Sequence, residues 1–196
     1  MKKIVSVILA LALTLGLCGA LAESEALPAY TWSGDDPVWA AVIAYMQEKD
    51  TGVVPDEGGV LIPTPVILKI DKNEAETEAT VYGNFWVFAY AKHGNILDMT
   101  ACAENPGVIK LEKKDDKWTV VSAEFAGDGE AYMEDIKRFA NGDEELIREY
   151  LLTTGAEEES YLPQYQRAAV VLYVEDNKLA IEAYQEPGAD PVPVND

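Results

Sequence analysis

TEATVYGNFWVFAYAK, residues 77–92, is the stretch that decides the fold. Its side chains alternate as a strand requires, with Tyr82, Trp86, Phe88 and Tyr90 on one side and Val81, Phe85, Val87 and Ala89 on the other. A strand with one wet face would alternate apolar and polar. Apolar residues on both sides predict a central strand covered on both faces, or one that bends at Gly83.

Reading outward, Val60 to Ile70 is a preceding strand. Pro63 and Pro65 cannot donate to a ladder, so that strand belongs at an edge or enters the sheet irregularly. Asp71-Lys72-Asn73 is a turn. Downstream, His93-Gly94-Asn95 turns the chain into a strand over 96–104. Asn105-Pro106-Gly107 turns it into 108–113, and Asp115-Asp116 into 117–125. Short turns between successive strands predict an antiparallel meander.

Helical patterns flank the meander. Asp35-Asp36-Pro37 is a start signal, followed by Val38, Trp39, Val42, Ile43 and Met46 at helical spacing. After the strands, Asp128-Gly129-Glu130 is expected to cap a helix with Tyr132, Met133, Ile136 and Phe139 as its stripe. Asn141-Gly142 ends it, and Asp143 restarts a helix that turns Leu146, Ile147, Tyr150 and Leu151 inward. Residues 155–164 read as a linker. Ala168–Val174 and Lys178–Tyr184 read as a hairpin about Asp176-Asn177. The expectation is an α+β fold: a curved antiparallel β-meander packed against N-terminal and post-sheet helices, plus a C-terminal β-hairpin, with the helices on one concave face. One domain spans residues 35–185, after an exposed lead-in over 23–34. The tail, 186–196, is rich in proline and acid and is expected to be disordered.

The first 22 residues stand apart. Lys2 and Lys3 precede an apolar run from Ile4 to Leu17, and Ala20-Leu21-Ala22 supplies small residues at both cleavage positions. That is a bacterial-type secretory signal peptide, and its apolar run is too short to span a bilayer. Leu15-Gly16-Leu17-Cys18 lacks the small residue that a lipoprotein signal places before its cysteine, which disfavours a lipid anchor at Cys18. The expected location is therefore secreted or extracellular.

The formal net charge is −20, and it becomes more negative once Lys2 and Lys3 leave with the signal. Such acidity opposes nucleic-acid partners, which need a basic face, and anionic membrane surfaces. With Cys18 removed only Cys102 remains, so no internal disulfide can form and the fold must stand on its apolar core.

Tyr82-Gly83-Asn84-Phe85-Trp86-Val87, then Pro106-Gly107 and Lys117-Trp118-Thr119-Val120-Val121-Ser122, give residues 35–152 a pattern that resembles secreted bacterial domains of unknown function in the nuclear transport factor 2-like and cystatin-like fold group. The resemblance implies a cone-shaped sheet with an apolar cavity, used in that group for small ligands, for catalysis or for dimerisation. Fold alone does not choose among these.

Most chemistries lack their residues. His93 is the only histidine and falls in a hairpin turn, a poor place for a buried general base. Cys102, between Ala101 and Ala103, reads as a small buried hydrophobe. There is no G-x-G-x-x-G, no G-x-x-x-x-G-K-[ST] and no G-x-S-x-G. Asp98, Glu104 and Glu124 read as a solvated strand face. Asp128, Glu130 and the Asp115-Asp116 pair are the compact oxygen clusters, without EF-hand spacing. Asp128 and Glu130 are the metal candidates, although a helix cap accounts for Asp128 and a turn for Asp115-Asp116. No cofactor is implied.

The aromatic alternation of Tyr82, Trp86 and Tyr90 fits either a core under helices or the wall of a pocket for an apolar or sugar-like ligand. The leading expectation is a secreted, non-catalytic binding domain with a small-molecule, cell-envelope or protein partner. The alternatives are a carboxylate-dependent enzyme in the sheet cavity, or an interaction or homodimerisation module using the C-terminal hairpin. Intact mass of the protein exported from a bacterial host should correspond to a chain beginning at Glu23; a mass that retains residues 1–22 would overturn the signal reading.

Overall fold

The computed structural model describes residues 26–49, 52–155 and 159–195. The expected signal peptide lies outside the described residues, as does most of the Glu157–Glu159 run. Helix α1 is Pro37–Glu48. The strands β1 (Val60–Lys72), β2 (Glu78–His93), β3 (Ile96–Ala103), β4 (Pro106–Lys114) and β5 (Lys117–Phe125) follow. Then come α2 (Glu130–Phe139), α3 (Glu144–Leu151), α4 (Leu162–Asp176), β6 (Ala183–Gln185) and β7 (Val192–Pro193). This is an α+β fold with a seven-stranded, mostly antiparallel sheet.

Strand β2 organises it. Its residues 79–90 pair with β1 along one edge. On the other edge His93–Val87 pairs with β3 and Asn84–Glu78 with β4. The offset at Val87↔Ala103 is the same as at Asn84↔Pro106. Strands β3 and β4 are therefore one pass along β2, and Asn105-Pro106-Gly107 does not reverse the chain as expected. The reason is local pairing. The Phe85 N–H donates to Asn105 O at 3.0 Å. The Asn105 side-chain amide donates to Phe85 O at 3.1 Å, and the Asn105 N–H to Asn84 Oδ1 at 3.1 Å. These bonds carry the ladder across the break, so direction is kept. Strand β5 lies outside β4, and β6 runs parallel to β3.

Both faces of β2 are covered. On one, Val38, Val42 and Met46 of α1 pack on Val81, Phe85, Val87 and Ala89. On the other, Val170, Tyr173 and Val174 of α4 cover Trp86, Phe88 and Tyr90. Further along that face, Ile136 of α2 and Ile147 and Tyr150 of α3 cover Tyr82 and Val108. Helices thus sit on both sides of the sheet, where one concave face was expected. Each large apolar side chain removed from water here stabilises by about 1.5–3 kcal/mol.

The helix starts are mostly where the sequence put them. Asp36 caps α1, its Oδ1 accepting from Val38 N at 2.8 Å and Trp39 N at 3.0 Å. Asp143 caps α3 in the same way. Asp128 does not cap α2: the N-cap is Gly129, at φ 64, with no side-chain bond. Asp135 instead reaches back, accepting from Gly127 N at 2.9 Å.

The C-terminal segment differs most. Ala168–Val174 was expected as a strand and is instead the body of α4. Its β-branched run Val170-Val171 favours a strand only weakly, and tertiary packing overrides such propensity. Pro163 sits in the first turn, and Leu162, Gln166, Val170, Tyr173 and Val174 form a buried helical stripe. A C-terminal hairpin does exist, but it pairs β6 with β7. The tail read as disordered carries β7, and Val194 is 4% exposed, its N–H on Glu182 O at 2.9 Å.

Gly83 is where strands approach closest. A Cβ there would stand 2.4 Å from the backbone oxygen of Val66, opposite the register shift between Ile67 and Lys69. Gly83→Ala must push two backbones apart, and a loss of about 1–3 kcal/mol is expected in urea unfolding. An unchanged midpoint would contradict this close approach.

Candidate functional site

The three aromatic residues singled out in the sequence do not share one environment. Tyr90 is 0% exposed, its hydroxyl accepting from Gln166 Nε2 at 3.0 Å. Trp86 is 7% exposed and stacked on Phe88 at 5.6 Å between ring centroids. Tyr82 is half-buried against α2 and α3, with Lys69 Nζ 5.5 Å from its ring centroid. Neither groove described below is lined by any of the three.

Trp86 belongs to a buried polar knot that the sequence reading missed. Its Nε1 donates to Thr153 O at 2.9 Å. Asn84 Nδ2 donates to Thr153 Oγ1 at 3.1 Å and to Glu104 Oε1 at 2.9 Å. Tyr150 OH donates to Gly107 O at 2.7 Å. Asn84 and Thr153 are fully buried, and their bonds tie the end of α3 to the β3–β4 break. Desolvation raises the Glu104 carboxyl, and the Asn84 hydrogen bond draws it back. Among the described residues no second carboxylate acts on it.

The remaining candidates lie apart. His93 is exposed and bonded through Nδ1 to Asp98 at the β2–β3 turn. Asp128 and Glu130 are exposed, and among the described residues no group of three or more His, Cys, Asp or Glu could hold a metal ion. Asp115 and Asp116, at φ 50 and φ 61, form the β4–β5 turn. Cys102 is exposed, against the expectation of burial, because α4 packs over β1 and leaves this part of β3 uncovered. Desolvation, then Glu186 and Glu104, raise its pKa, which lowers its thiolate fraction.

Two grooves flank α1. One, of about 490 Å³, lies between α1 and the β4–β5 hairpin, over Ala40, Ala41, Ala44 and the charged tip Asp115–Lys117. The other, of about 210 Å³, is compact and apolar. Its lining comes from four places: Tyr30 and Trp32 of the lead-in, Trp39 and Ile43 of α1, Pro63-Thr64-Pro65 of β1, and Tyr165, Ala168, Ala169 and Leu172 of α4.

The lead-in is a built wall of this groove. Leu27 N–H donates to Gly58 O at 2.9 Å, Tyr173 OH to Pro28 O at 2.7 Å, and Gln47 Nε2 to Tyr30 O at 2.8 Å. Tyr30 stacks on Tyr173 at 6.3 Å; burial, then Asp176, push its hydroxyl up to about 12. The Trp32 indole folds back over Gly34, where a Cβ would lie 2.2 Å from the ring, and stacks on Trp39 at 5.8 Å and 11°. Trp32 Nε1 is buried and has no hydrogen-bond partner among the described residues. Thr64 is 3% exposed and reaches Ile62 O only at 3.5 Å, a length at which little of a hydrogen bond remains. Thr64 therefore adds one weakly bonded hydroxyl to an otherwise apolar lining.

Nothing in the alternation of β2 pointed here. The available signal was a pair of tryptophans, Trp32 and Trp39, bracketing the Asp35-Asp36-Pro37 helix start, together with Pro-x-Pro in an edge strand. The polar knot and the groove should separate by mutation. Asn84→Ala is expected to cost about 2–3 kcal/mol in unfolding while Trp39 substitutions leave the knot intact. Asn84→Asp should cost more at neutral pH and recover as pH falls. Its buried carboxyl has a raised folded pKa, so the penalty is lifted once it is protonated. A pH-independent Asn84→Asp penalty would contradict this burial. No family model, curated protein or solved structure matches this chain.

Proposed function

We propose that this protein is an exported, non-catalytic binding domain whose ligand site is the aromatic groove walled by Trp32 and Trp39. One observation carries the reading: two stacked indoles, two tyrosines and a proline edge line one apolar recess of about 210 Å³. A concave, mostly apolar site with a few convergent polar groups is the usual form of a small-ligand pocket. The lining disfavours a sugar, whose hydroxyls would need more partners than Thr64 and Trp32 supply. It favours a small ligand, or one side chain of a partner, with an apolar body.

An enzymatic reading based on paired carboxylates gains little support. Glu104 is held by Asn84, and among the described residues no other acid acts on it. The interaction reading placed on the C-terminal hairpin would have to use β7, whose two residues make a short edge.

Benzyl alcohol and benzylammonium, one neutral and one charged, serve as probes of the groove. In an amide and indole NMR spectrum at least one should shift the Trp32 Nε1–H resonance, and Trp39→Ala should abolish that shift. Absence of any Trp39-dependent shift with either probe would overturn the reading.

A further inference from the structure

The direction of one backbone bond decides what the groove offers. The Phe85 N–H donates to Asn105 O, and Phe85 O accepts from the Asn105 side chain, both on the β3–β4 side of β2. Phe85 therefore turns its backbone groups away from β1, and its partner Pro65 is in a non-hydrogen-bonded pair. Pro65 then points its own nitrogen and carbonyl away from β2, toward the free edge. Pro63, two residues earlier and opposite Val87, does the same. At an ordinary edge strand these positions would present alternating donors and acceptors. Here proline has removed the N–H groups, so the side of β1 turned from β2 carries carbonyl oxygens and no N–H over Pro63-Thr64-Pro65, three buried residues that line the groove.

The rest of the lining has the same sign. Tyr30, Trp32, Trp39 and Tyr165 bring aromatic rings, whose faces carry negative potential. Among the described residues no lysine, arginine or histidine lines the groove. Arg167, on α4, acts on Tyr184, and the groove-facing positions of that helix are Tyr165, Ala168, Ala169 and Leu172. The first-turn N–H groups of α1, which could have held an anion, are already taken: Val38 and Trp39 both donate to Asp36 Oδ1. The chain as a whole carries a formal charge of −20.

We infer that the ligand of this groove is an organic cation, an ammonium group on an apolar body, held by the indole and phenol faces and by the outward carbonyls of Pro63 and Pro65. The inference rests on the binding reading above and adds the charge of the ligand. An ammonium over an aromatic face is attracted by the ring quadrupole, and the carbonyls accept its N–H groups. A carboxylate or phosphate would find no charged donor there, only neutral hydroxyl and indole groups among proline carbonyls and negative ring faces. The volume of about 210 Å³ suits a group the size of a benzylammonium ion or the end of one basic side chain.

Calorimetric titration of the folded chain, residues 23–196, with benzylammonium and with its neutral counterpart benzyl alcohol tests the charge directly. Benzylammonium should bind about 10-fold more tightly, the size of a partly desolvated cation–π contact. Methylammonium, which has charge without the apolar body, should bind far more weakly than benzylammonium. Trp39→Leu keeps apolar volume and removes one ring face, so it should weaken benzylammonium about 5-fold and benzyl alcohol little. Equal affinity for the two aromatic probes would overturn the cation inference and leave the apolar binding site standing. Failure of both to bind would overturn the two together. Benzylammonium binding that survives Trp39→Leu unchanged, or that methylammonium matches, would assign the attraction to the acidic surface and overturn the site. If Trp39→Leu does not fold, the ratio of the two probes on the unaltered chain still decides.

Discussion

Burial of β2 on both faces is the constraint on which this structure depends. A strand with no wet face must find a protein partner for every backbone N–H and C=O, because an unpaired buried group costs about as much as the hydrogen bond it lacks. Strand β1 serves one edge, and the single β3–β4 pass serves the other. The weak point is the break at Glu104–Asn105. Asn105 bridges it with backbone and side chain, and buried Asn84 locks it to Thr153 and Glu104. The end of α3 is fastened there, which sets where α2 and α3 sit on the sheet.

The same pairing fixes which way β1 faces. Because Phe85 spends its backbone groups on Asn105, Pro65 and Pro63 must turn theirs outward. Proline at those positions has two consequences. It denies a foreign strand the donors needed to extend the sheet, a common way of protecting an edge. It also leaves carbonyls without N–H partners of their own along a strand that lines the same groove as Trp32 and Trp39. The opposite edge is blunted differently: the register shift at Lys110/Leu111 extrudes Val121, which is 50% exposed and interrupts β5 as a template. Edge protection and the candidate ligand site are thus the same feature at β1.

Cys102, the cysteine among the described residues, is a free thiol, so three apolar clusters carry the described fold. Those over β2 are joined through the sheet, and the lead-in extends one of them across α1 and α4 through Tyr30 and Leu27. The groove lies where that lead-in leaves the core. Its walls belong to elements that are each anchored elsewhere, by Tyr173 on Pro28, by Gln47 on Tyr30 and by Asp36 on α1. A recess between rigid, separately fastened elements keeps its shape without a ligand.

The α+β class, the five long strands, α1 and the Asp143 cap were legible in the sequence, because each follows from local rules: period-two alternation, acid and proline at helix starts, paired turn residues. Residues 168–176 were misread because Ala-Ala-Val-Val-Leu-Tyr-Val satisfies strand propensity and helical spacing alike, and only the surface of β1 beneath it selects the helix. Asn105-Pro106-Gly107 has the composition of a turn, yet side-chain amides from β2 and from Asn105 itself keep the chain straight. Cys102 looked buried because its neighbours are alanines, but its exposure depends on α4 packing over β1 and leaving this part of β3 uncovered.

What the sequence determined alone, then, is what neighbouring residues can settle: secondary structure where propensity and periodicity agree, the acidity of the chain, and its scarcity of histidine and cysteine. Tertiary structure decided the rest. Whether the aromatic side of β2 becomes core or pocket depends on helices far away in the chain, since Trp86 and Tyr90 are covered by α4 while Trp32 and Trp39 are left to wall a groove. The acceptor-only edge is likewise invisible in Pro63-Thr64-Pro65 until the Phe85–Asn105 bonds fix which side of β1 faces the sheet. Burial and hydrogen-bond direction are properties of pairs of distant residues, and only the folded chain brings those pairs together.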